Sequence, residues 1–267
     1  MPPPDASFPA VLPPDGSPIR REVPRLRLGT RLHFVWFVVW GTLWTLMLSP
    51  FLLVDSTFRP GARTFKRWMT RWARMILGGT GVRVRTELQQ PLDPARPVVL
   101  VANHQNALDI LTASAAIPHP FGFAAKAELR RVPIVGTVLA HTACVFVDRS
   151  TPRRAAQTLA EAGAQIRAGN SVLVFPEGLR TWRTTVAPFA RGAFLLALEA
   201  GAPLVPVAID GDVGLFDERH GASRPGLVRV AIGPPVPTAG RPRDDVPALM
   251  EAVRAWMARE LGVVEEE

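Results

Sequence analysis

The sequence predicts an α/β protein in which a mixed, mostly parallel sheet is flanked by helices and preceded by a membrane-associated hairpin of two helices. Short apolar runs alternate with helical stretches after residue 80, which is typical of strand–helix units around such a sheet. Before residue 80, an uncharged apolar run precedes an arginine-rich stretch with helical periodicity. We expect a disordered arm at 1–26, the hairpin at 27–79, the main domain at 80–262 and an acidic tail at 263–267.

Composition limits the chemistry of the chain. The net charge is +8, and Lys66 and Lys126 are the only lysines, so arginine carries the charge. This balance suits an acidic partner, whether phospholipid, phosphorylated substrate or nucleic acid. The single cysteine, Cys144, excludes an intrachain disulfide and argues against a thiolate zinc site. The five histidines show no metal-ligand spacing, so we expect no metal site.

The first 26 residues are rich in proline and show little periodicity, which predicts a solvated, disordered arm. The chain opens Met-Pro-Pro-Pro-Asp, without the basic region that begins a signal peptide. We therefore expect a tail here and not a targeting signal.

A first membrane helix is predicted over Leu32–Leu48, in a run without charged residues up to Val54. Its tryptophans recur every fourth residue and so share one helical face: Trp36, Trp40 and Trp44. The Ser49-Pro50 pair is expected to interrupt the helix, because proline lacks an amide donor. At about 1.5 Å per residue the segment would span roughly 25 Å, which is short for the hydrocarbon core.

A second helix is predicted from about Thr57 to Leu77. Its apolar residues form one stripe: Phe65, Trp68, Met69, Trp72 and Ile76. Its arginines occupy other faces: Arg63, Arg67, Arg71 and Arg74. A basic amphipathic helix with tryptophans is typical of an element that lies in the membrane interface.

The charges around the apolar run predict its topology. Arginines both precede and follow the run, and the positive-inside rule then places both ends on the cytoplasmic side. This favours a monotopic hairpin in one leaflet over a single span. The alternative is that both helices simply pack on the soluble domain.

The main domain is predicted to contain seven strands. They are Val82–Arg85, Val98–Ala102, Phe121–Ala125, Cys144–Val147, Val172–Phe175, Leu204–Ile209 and Leu227–Ile232. The best-bounded helix runs from Pro152 to Ala168, with Ser150 or Thr151 as its N-cap and Gly169 at its end. A last helix is expected at about Val246 to Leu261.

Two polar motifs follow predicted strands. His104 comes directly after one strand and Asp109 follows five residues later. With His104 in the loop and Asp109 in the first helical turn, the carboxylate can orient the imidazole while the other ring nitrogen takes a proton. By itself, such a pair is more often structural. Phe175 to Arg180 reads Phe-Pro-Glu-Gly-Leu-Arg at another strand end, where open α/β sheets bind ligands, although Pro-Glu-Gly is also an ordinary turn.

Together these motifs resemble the glycerophospholipid acyltransferase family, most closely its 1-acylglycerol-3-phosphate O-acyltransferases. The resemblance covers roughly residues 98 to 209 in the family's order: His104 and Asp109 in His-x4-Asp, Phe146 and Arg149 in the second motif, Phe175–Arg180 in the third, and Pro203–Val207 in the fourth. Lys126 and the Phe189–Gly192 segment also match. The chain departs from the family's usual residues at Asn106, Ala107, Ala143 and Leu179, which puts the acceptor and pocket shape in question.

The resemblance implies direct acyl transfer from acyl-CoA or acyl-ACP to the sn-2 hydroxyl of 1-acylglycerol 3-phosphate, giving phosphatidic acid, without a bound cofactor. The implied roles are His104 as base, Asp109 as its orienter, Arg149, Arg180 and Lys126 at the acceptor phosphate, Glu177 at the glycerol, and amides near Gly178 at the oxyanion. Lys126 is equally well explained as a solvated surface lysine. Cys144 is expected to be a small core residue.

The sequence leaves a different acceptor and a different class of protein as alternatives. The acceptor could instead be another lyso lipid, such as lyso-ornithine lipid, or glycerol 3-phosphate. A non-enzymatic membrane lipid-binding protein would explain the hairpin but has no need of a base. Nucleic-acid binding suits the charge, but the chain shows no recognised nucleic-acid motif, and a serine hydrolase lacks its Gly-x-Ser-x-Gly turn.

Overall fold

The computed structural model describes residues 19, 21–132, 135–140, 142–148 and 150–263. Most of the predicted arm and nearly all of the predicted acidic tail lie outside these residues. Arg149, which the second motif assigned to the acceptor phosphate, also lies outside them.

Two long helices precede the sheet. Helix α1 runs over Leu28–Phe58 and α2 over Ala62–Gly79. The expected interruption at Ser49-Pro50 is wrong, because α1 continues through Pro50. Proline removes the amide that would pair with the carbonyl of Leu46, and the Ser49 hydroxyl donates to that carbonyl at 3.5 Å instead. The 31 residues of α1 therefore span roughly 46 Å at 1.5 Å per residue.

Helices α1 and α2 pack side by side and antiparallel. Hydrogen bonds join them along their length. Three indoles donate across the pair: Trp36 to the Gly79 carbonyl, Trp40 to the Met75 carbonyl and Trp72 to the Thr45 hydroxyl. At the other end of the pair, the Asp55 carboxylate accepts from Arg67 and Trp68. These indole N–H groups are thus satisfied within the hairpin. These contacts hold the two helices together.

The outer helix of this pair is α1. It buries only three residues, Phe37, Leu52 and Ser56, whereas α2 buries Phe65, Ile76 and other residues against the α/β domain. The apolar stripe expected to face lipid on α2 therefore faces inward in part. Among the described residues, α1 is the one helix long and apolar enough to cross a membrane.

Seven strands form one sheet in the order β1-β9-β6-β2-β5-β3-β4. They are β1 Val82–Leu88, β2 Val99–Ala102, β3 Gly122–Lys126, β4 Val145–Val147, β5 Val172–Val174, β6 Leu204–Asp210 and β9 Gly226–Ile232. All neighbours pair in parallel except β6 and β9. The predicted α/β class with a mixed, mostly parallel sheet is confirmed, and every predicted strand is present within a few residues.

The remaining elements are short or lie on the faces of the sheet. They are α3 Leu108–Ala116, α4 Val135–Ala140, α5 Pro152–Arg167, α6 Gly192–Ala200, α7 Asp212–Leu215, α8 Val246–Leu261, 3₁₀ turns at Ala127–Arg131 and Arg243–Asp245, and a small hairpin of β7 Phe216–Asp217 and β8 Ala222–Ser223. The Thr151 hydroxyl caps α5 by accepting from the Arg154 amide.

Alternation along the central strand divides the core into two layers. Leu100 and Ala102 of β2 face the layer formed by α2, α3 and part of α1, whereas Val99 and Val101 face α6 and α8. Because both faces are covered, the central strands read as continuous apolar runs. The polar residues that follow these strands therefore emerge together at one edge of the sheet.

Candidate active site

The loop after β2 holds His104 at the carboxyl end of a central strand, where α/β sheets present ligand sites. The side chains on either side of His104 hydrogen-bond to the end of β6 and to the segment that follows it. Asn103 exchanges two hydrogen bonds with the backbone of Ile209, at 2.9 and 2.8 Å. Gln105 donates to the Ile209 carbonyl at 3.1 Å and accepts from the Val213 amide at 3.2 Å. His104 therefore lies on a buried polar scaffold.

His104 and Asp109 meet at this edge of the sheet. The Nδ1 atom of His104 lies 2.7 Å from Oδ2 of Asp109, which belongs to the first turn of α3. The same oxygen accepts the amides of Gln105 at 2.5 Å and Asn106 at 3.0 Å. With Nδ1 held by a fully buried carboxyl group, Nε2 is the ring nitrogen left for a substrate.

The surroundings keep the imidazole neutral. Its ring stacks on that of Phe175, with centroids 4.1 Å apart and an angle of 17° between the planes. Burial, aided by the positive charge of Arg180, lowers the pKa of His104 to about 4. At neutral pH the residue is therefore an unprotonated base, which is the form needed to accept a proton.

Glu177 contacts the histidine loop directly. Its Oε1 accepts a hydrogen bond from the backbone amide of His104 at 3.1 Å. The Phe-Pro-Glu-Gly motif therefore stabilises the loop of the His-x4-Asp motif. Burial raises the pKa of Glu177 to about 7, opposed by the hydrogen bond from the His104 amide. Its Oε2 atom is buried and has no hydrogen-bond partner among the described residues, which leaves it for a ligand hydroxyl.

Gly178 takes a conformation that favours glycine, with φ of +75°. Its amide, one of the predicted oxyanion donors, already donates to the Phe175 carbonyl at 3.2 Å. The amide of Leu179 has no acceptor in the described part of the chain. Of these two amides, that of Leu179 is therefore the one left for a ligand.

Arg180 is held by an acidic partner that the sequence did not reveal. Its Nη1 lies 3.2 Å from Oε1 of Glu218, and the indole of Trp182 donates to the same oxygen at 3.1 Å. Arg219 lies over the Trp182 ring, 4.8 Å from its centroid. Trp182 has φ of +52°, which is rare for a bulky residue and marks a strongly constrained turn.

Lys126 and Cys144, the other two residues that the sequence analysis singled out, lie in different surroundings. Lys126 ends β3 and is exposed beside the site. Cys144 accepts the Phe123 amide at 3.3 Å, and burial raises the pKa of its thiol to about 11, so it is no thiolate nucleophile. Within the described residues, no group of three or more His, Cys, Asp or Glu side chains is placed to hold a metal ion.

A cavity of about 1010 Å³ connects this polar site to the helical hairpin. His104 and Arg180 line it together with apolar side chains from the first two helices, including Leu52, Phe65 and Met69. Its lining is mainly apolar. Its volume suits a ligand with a long hydrocarbon part.

Sequence reasoning missed the segment after β6. Asp212 accepts Asn106 Nδ2 through its carbonyl at 2.9 Å, and Phe216 does the same at 2.7 Å. Asn106, one of the positions where the chain departs from the family's usual residues, thus holds the loop to this segment by hydrogen bonds. The signal in the sequence was the pair Asp210 and Asp212 directly after an apolar run, since carboxyl groups next to a buried strand need partners.

Comparisons with known proteins agree with this geometry. A family model described as Acyltransferase matches residues 83–210. The chain is 34% identical over 178 residues to human 1-acyl-sn-glycerol-3-phosphate acyltransferase alpha, covering 66% of this chain and 63% of that protein. It is 31% identical over 207 residues to the human beta enzyme, covering 74% and 73%. The match therefore spans less than two thirds of the alpha enzyme.

Two bacterial proteins are similar over more of their length. The 1-acyl-sn-glycerol-3-phosphate acyltransferase of Pseudomonas aeruginosa is 29% identical over 228 residues, covering 85% of this chain and 86% of that protein. The crystal structure of the 1-acyl-sn-glycerophosphate (LPA) acyltransferase PlsC from Thermotoga maritima has a TM-score of 0.71 at 24% identity, covering 90% of this chain and 99% of that one. The second likeness shows a shared fold.

Proposed function

The chain belongs to the acyltransferase family, and from this premise we propose that it moves a fatty acyl group from a thioester onto the sn-2 hydroxyl of 1-acylglycerol 3-phosphate. One observation carries the proposal. A neutral imidazole, oriented at 2.7 Å by a buried carboxyl group, lines an apolar cavity of about 1010 Å³. A base at the wall of a lipid-sized cavity is what acylation of a lipid hydroxyl requires.

In the proposed reaction, Nε2 of His104 takes the proton of the acceptor hydroxyl as its oxygen attacks the thioester carbonyl. Asp109 stabilises the imidazolium that forms. The tetrahedral intermediate then collapses, the carbon–sulfur bond breaks, and the imidazolium returns its proton to the leaving thiolate. The enzyme forms no covalent intermediate, in keeping with the raised pKa of the Cys144 thiol.

The turn after Glu177 supplies the proposed oxyanion donor. The Leu179 amide is the candidate, because the Gly178 amide is already engaged with the Phe175 carbonyl. The free Oε2 of Glu177 would accept a glycerol hydroxyl. Both groups belong to the loop that also contacts the His104 backbone, so this contact fixes their position relative to the base.

We assign the acceptor phosphate to Arg180, with Lys126 and Arg149 as further cations. Arginine binds phosphate through two parallel charge-assisted hydrogen bonds. Arg180 is more than one third exposed in its ion pair with Glu218, so a phosphate can replace that weak partner. Lys126 lines the same cavity.

The helical hairpin explains how a lipid substrate reaches the site. Apolar side chains of α1 and α2 form the cavity wall, and the outer surface of α1 exposes many large apolar residues. We propose that α1 lies in one leaflet at the cytoplasmic face, because it packs along α2, which itself packs on the domain. A lipid then enters the cavity sideways without leaving the bilayer.

The experiment is acyl transfer by the purified, detergent-solubilised full chain, with lysolipid acceptors and both acyl-CoA and acyl-ACP donors. We expect phosphatidic acid from lysophosphatidic acid, and loss of at least about 100-fold in His104→Ala, the contribution of a general base. His119→Ala is the matched control, since His119 is buried against Ser171 outside the cavity. Equal activity without His104 would refute the mechanism, and binding without transfer would indicate a lipid carrier.

A second acceptor class is favoured by the ion pair of Arg180 and Glu218. An acceptor without a phosphate, such as lyso-ornithine lipid, would leave this pair intact. Including that acceptor in the panel distinguishes the two. Transfer to it alone would keep the mechanism and change the substrate.

A further inference from the structure

The carboxyl group that orients His104 contacts a second buried carboxyl group. Asp212, the first residue of α7, is fully buried, as is Asp109, and the two side chains are within hydrogen-bonding reach of each other. Three N–H groups occupy Oδ2 of Asp109. The Thr112 hydroxyl donates to Oδ2 of Asp212 at 2.9 Å. Among the described residues, no donor reaches Oδ1 of either aspartate.

Two ionised, buried carboxyl groups within hydrogen-bonding reach would repel each other strongly, and each has one oxygen that no donor among the described residues reaches. A single proton shared by the two groups leaves one negative charge, which removes the repulsion. It also gives both Oδ1 atoms a partner through one hydrogen bond. The donors decide where that proton resides. Asp109 has three N–H donors that favour its ionised form, whereas Asp212 has one hydroxyl.

We propose that Asp212 is a neutral carboxylic acid that donates its proton to Oδ1 of Asp109 and thereby acts as a positioning residue for the His104 base. The inference rests on the proposed function for its catalytic meaning, but the shared proton does not depend on it. The network then runs from Thr112 through Asp212 and Asp109 to His104. Every buried polar atom along it has a partner.

The electrostatics agree with this assignment. Burial and the neighbouring Asp109 raise the pKa of Asp212 far above that of an ordinary aspartate. Burial also raises the pKa of Asp109, opposed by hydrogen bonds from Asp212 and from two backbone amides. Other charged groups facing this network are Asp210 at the end of β6, Glu177 on the turn after β5, and Arg180, Glu218 and Lys126 around His104.

The proposal makes opposite predictions for two substitutions. Asp212→Asn keeps an N–H donor toward Asp109 and an oxygen for Thr112, so we expect kcat within about threefold of wild type. Asp212→Ala leaves Oδ1 of Asp109 unpaired, and Asp109 then binds a proton more readily. We expect kcat to fall by about 10- to 100-fold at neutral pH, as for a lost hydrogen bond to a charged group, with partial recovery at higher pH and little change in KM.

Asp210→Asn is the matched control. Asp210 is also buried, two residues earlier, but its carboxylate pairs with Arg21 at 2.7 Å. We expect this variant to keep kcat at neutral pH and to shift the acid limb less than Asp212→Ala does, because Asp210 acts on Asp212 only through its charge. A purely structural role for Asp212 would lower the amount of folded enzyme without moving the acid limb of kcat, and equal losses in Asp212→Asn and Asp212→Ala would overturn the proposal.

Infrared spectroscopy detects the shared proton without an activity assay. At pH 8.5 ordinary carboxyl groups and Glu177, with its pKa of about 7, are ionised. The difference spectrum between the full-length wild type and Asp212→Asn should then contain one protonated-carboxyl C=O band, and that between wild type and Asp210→Asn should contain none. Absence of the band refutes the proposal. Presence of the band in a wild-type protein that transfers no acyl group would refute the proposed function and leave the shared proton established.

Discussion

Asp109→Asn is the most informative single change for the catalytic geometry, because it removes one charge and almost no volume. The carboxylate lies 2.7 Å from Nδ1 of His104. At an effective dielectric constant of about 20, its attraction for an imidazolium is about 4 kcal/mol at 4 Å between charge centres and about 6 kcal/mol at the contact distance. Losing it should lower kcat by about 10³- to 10⁴-fold, comparable to the roughly 10⁴-fold loss for the same change in a serine protease triad.

The assay is steady-state transfer from acyl-CoA to lysophosphatidic acid in detergent, with kcat and KM determined separately. KM should change little, because Asp109 is fully buried and touches no substrate. Asp210→Asn, which removes another buried carboxylate, is the control, and thermal unfolding must show both variants folded. A loss of less than tenfold, or a loss confined to KM, would refute the assignment of Asp109 as the group that stabilises the imidazolium.

The remaining predictions concern other parts of the site. The protonated form of Glu177 stabilises the fold; this contribution is complete below pH 4.5 and is lost as the pH rises through about 7. The unfolding temperature of Glu177→Gln should therefore fall less between pH 5 and 8 than that of the wild type. Met69→Trp narrows the cavity and should disfavour longer acyl chains by about fourfold in kcat/KM per excluded methylene, whereas Met75→Trp, on an exposed position of the same helix, should not. Glu218→Gln releases Arg180 and should lower KM for lysophosphatidic acid by up to about fivefold; an unchanged KM would place the phosphate elsewhere. Binding to anionic vesicles should weaken with rising salt, and vesicles of neutral lipid serve as the comparison.

The strands and the ends of α5 and α8 could be predicted from the sequence. Strands such as β2 are buried on both faces, so each residue along them is apolar, and this pattern is local. The cap at Thr151 and the apolar stripe of α2 are local too. The positions of His104 and Glu177 at strand ends followed from the same reasoning, because parallel strands end at one edge of the sheet.

The course of α1 could not be predicted. Proline in a helix usually ends or kinks it, and the sequence rule at Pro50 was applied without knowledge of tertiary packing. The contacts of Trp40 and Trp72 across the hairpin outweigh the single lost hydrogen bond. Which helix faces outward was likewise decided by the α/β domain, which covers the apolar side of α2.

The sequence by itself determined the α/β class, the seven strands and the strand ends at which the motif residues lie. Burial of a strand on both faces and the alternation of strands with helices produce patterns among residues that are close in the sequence. Only the tertiary structure decided the partners of those residues. Asp212 meets Asp109 across 103 positions of the chain, and Glu218 meets Arg180 across 38. Such contacts depend on strand order and on the path of the chain after β6, which no local periodicity encodes, and they determine which carboxyl groups lie beside His104 and Arg180.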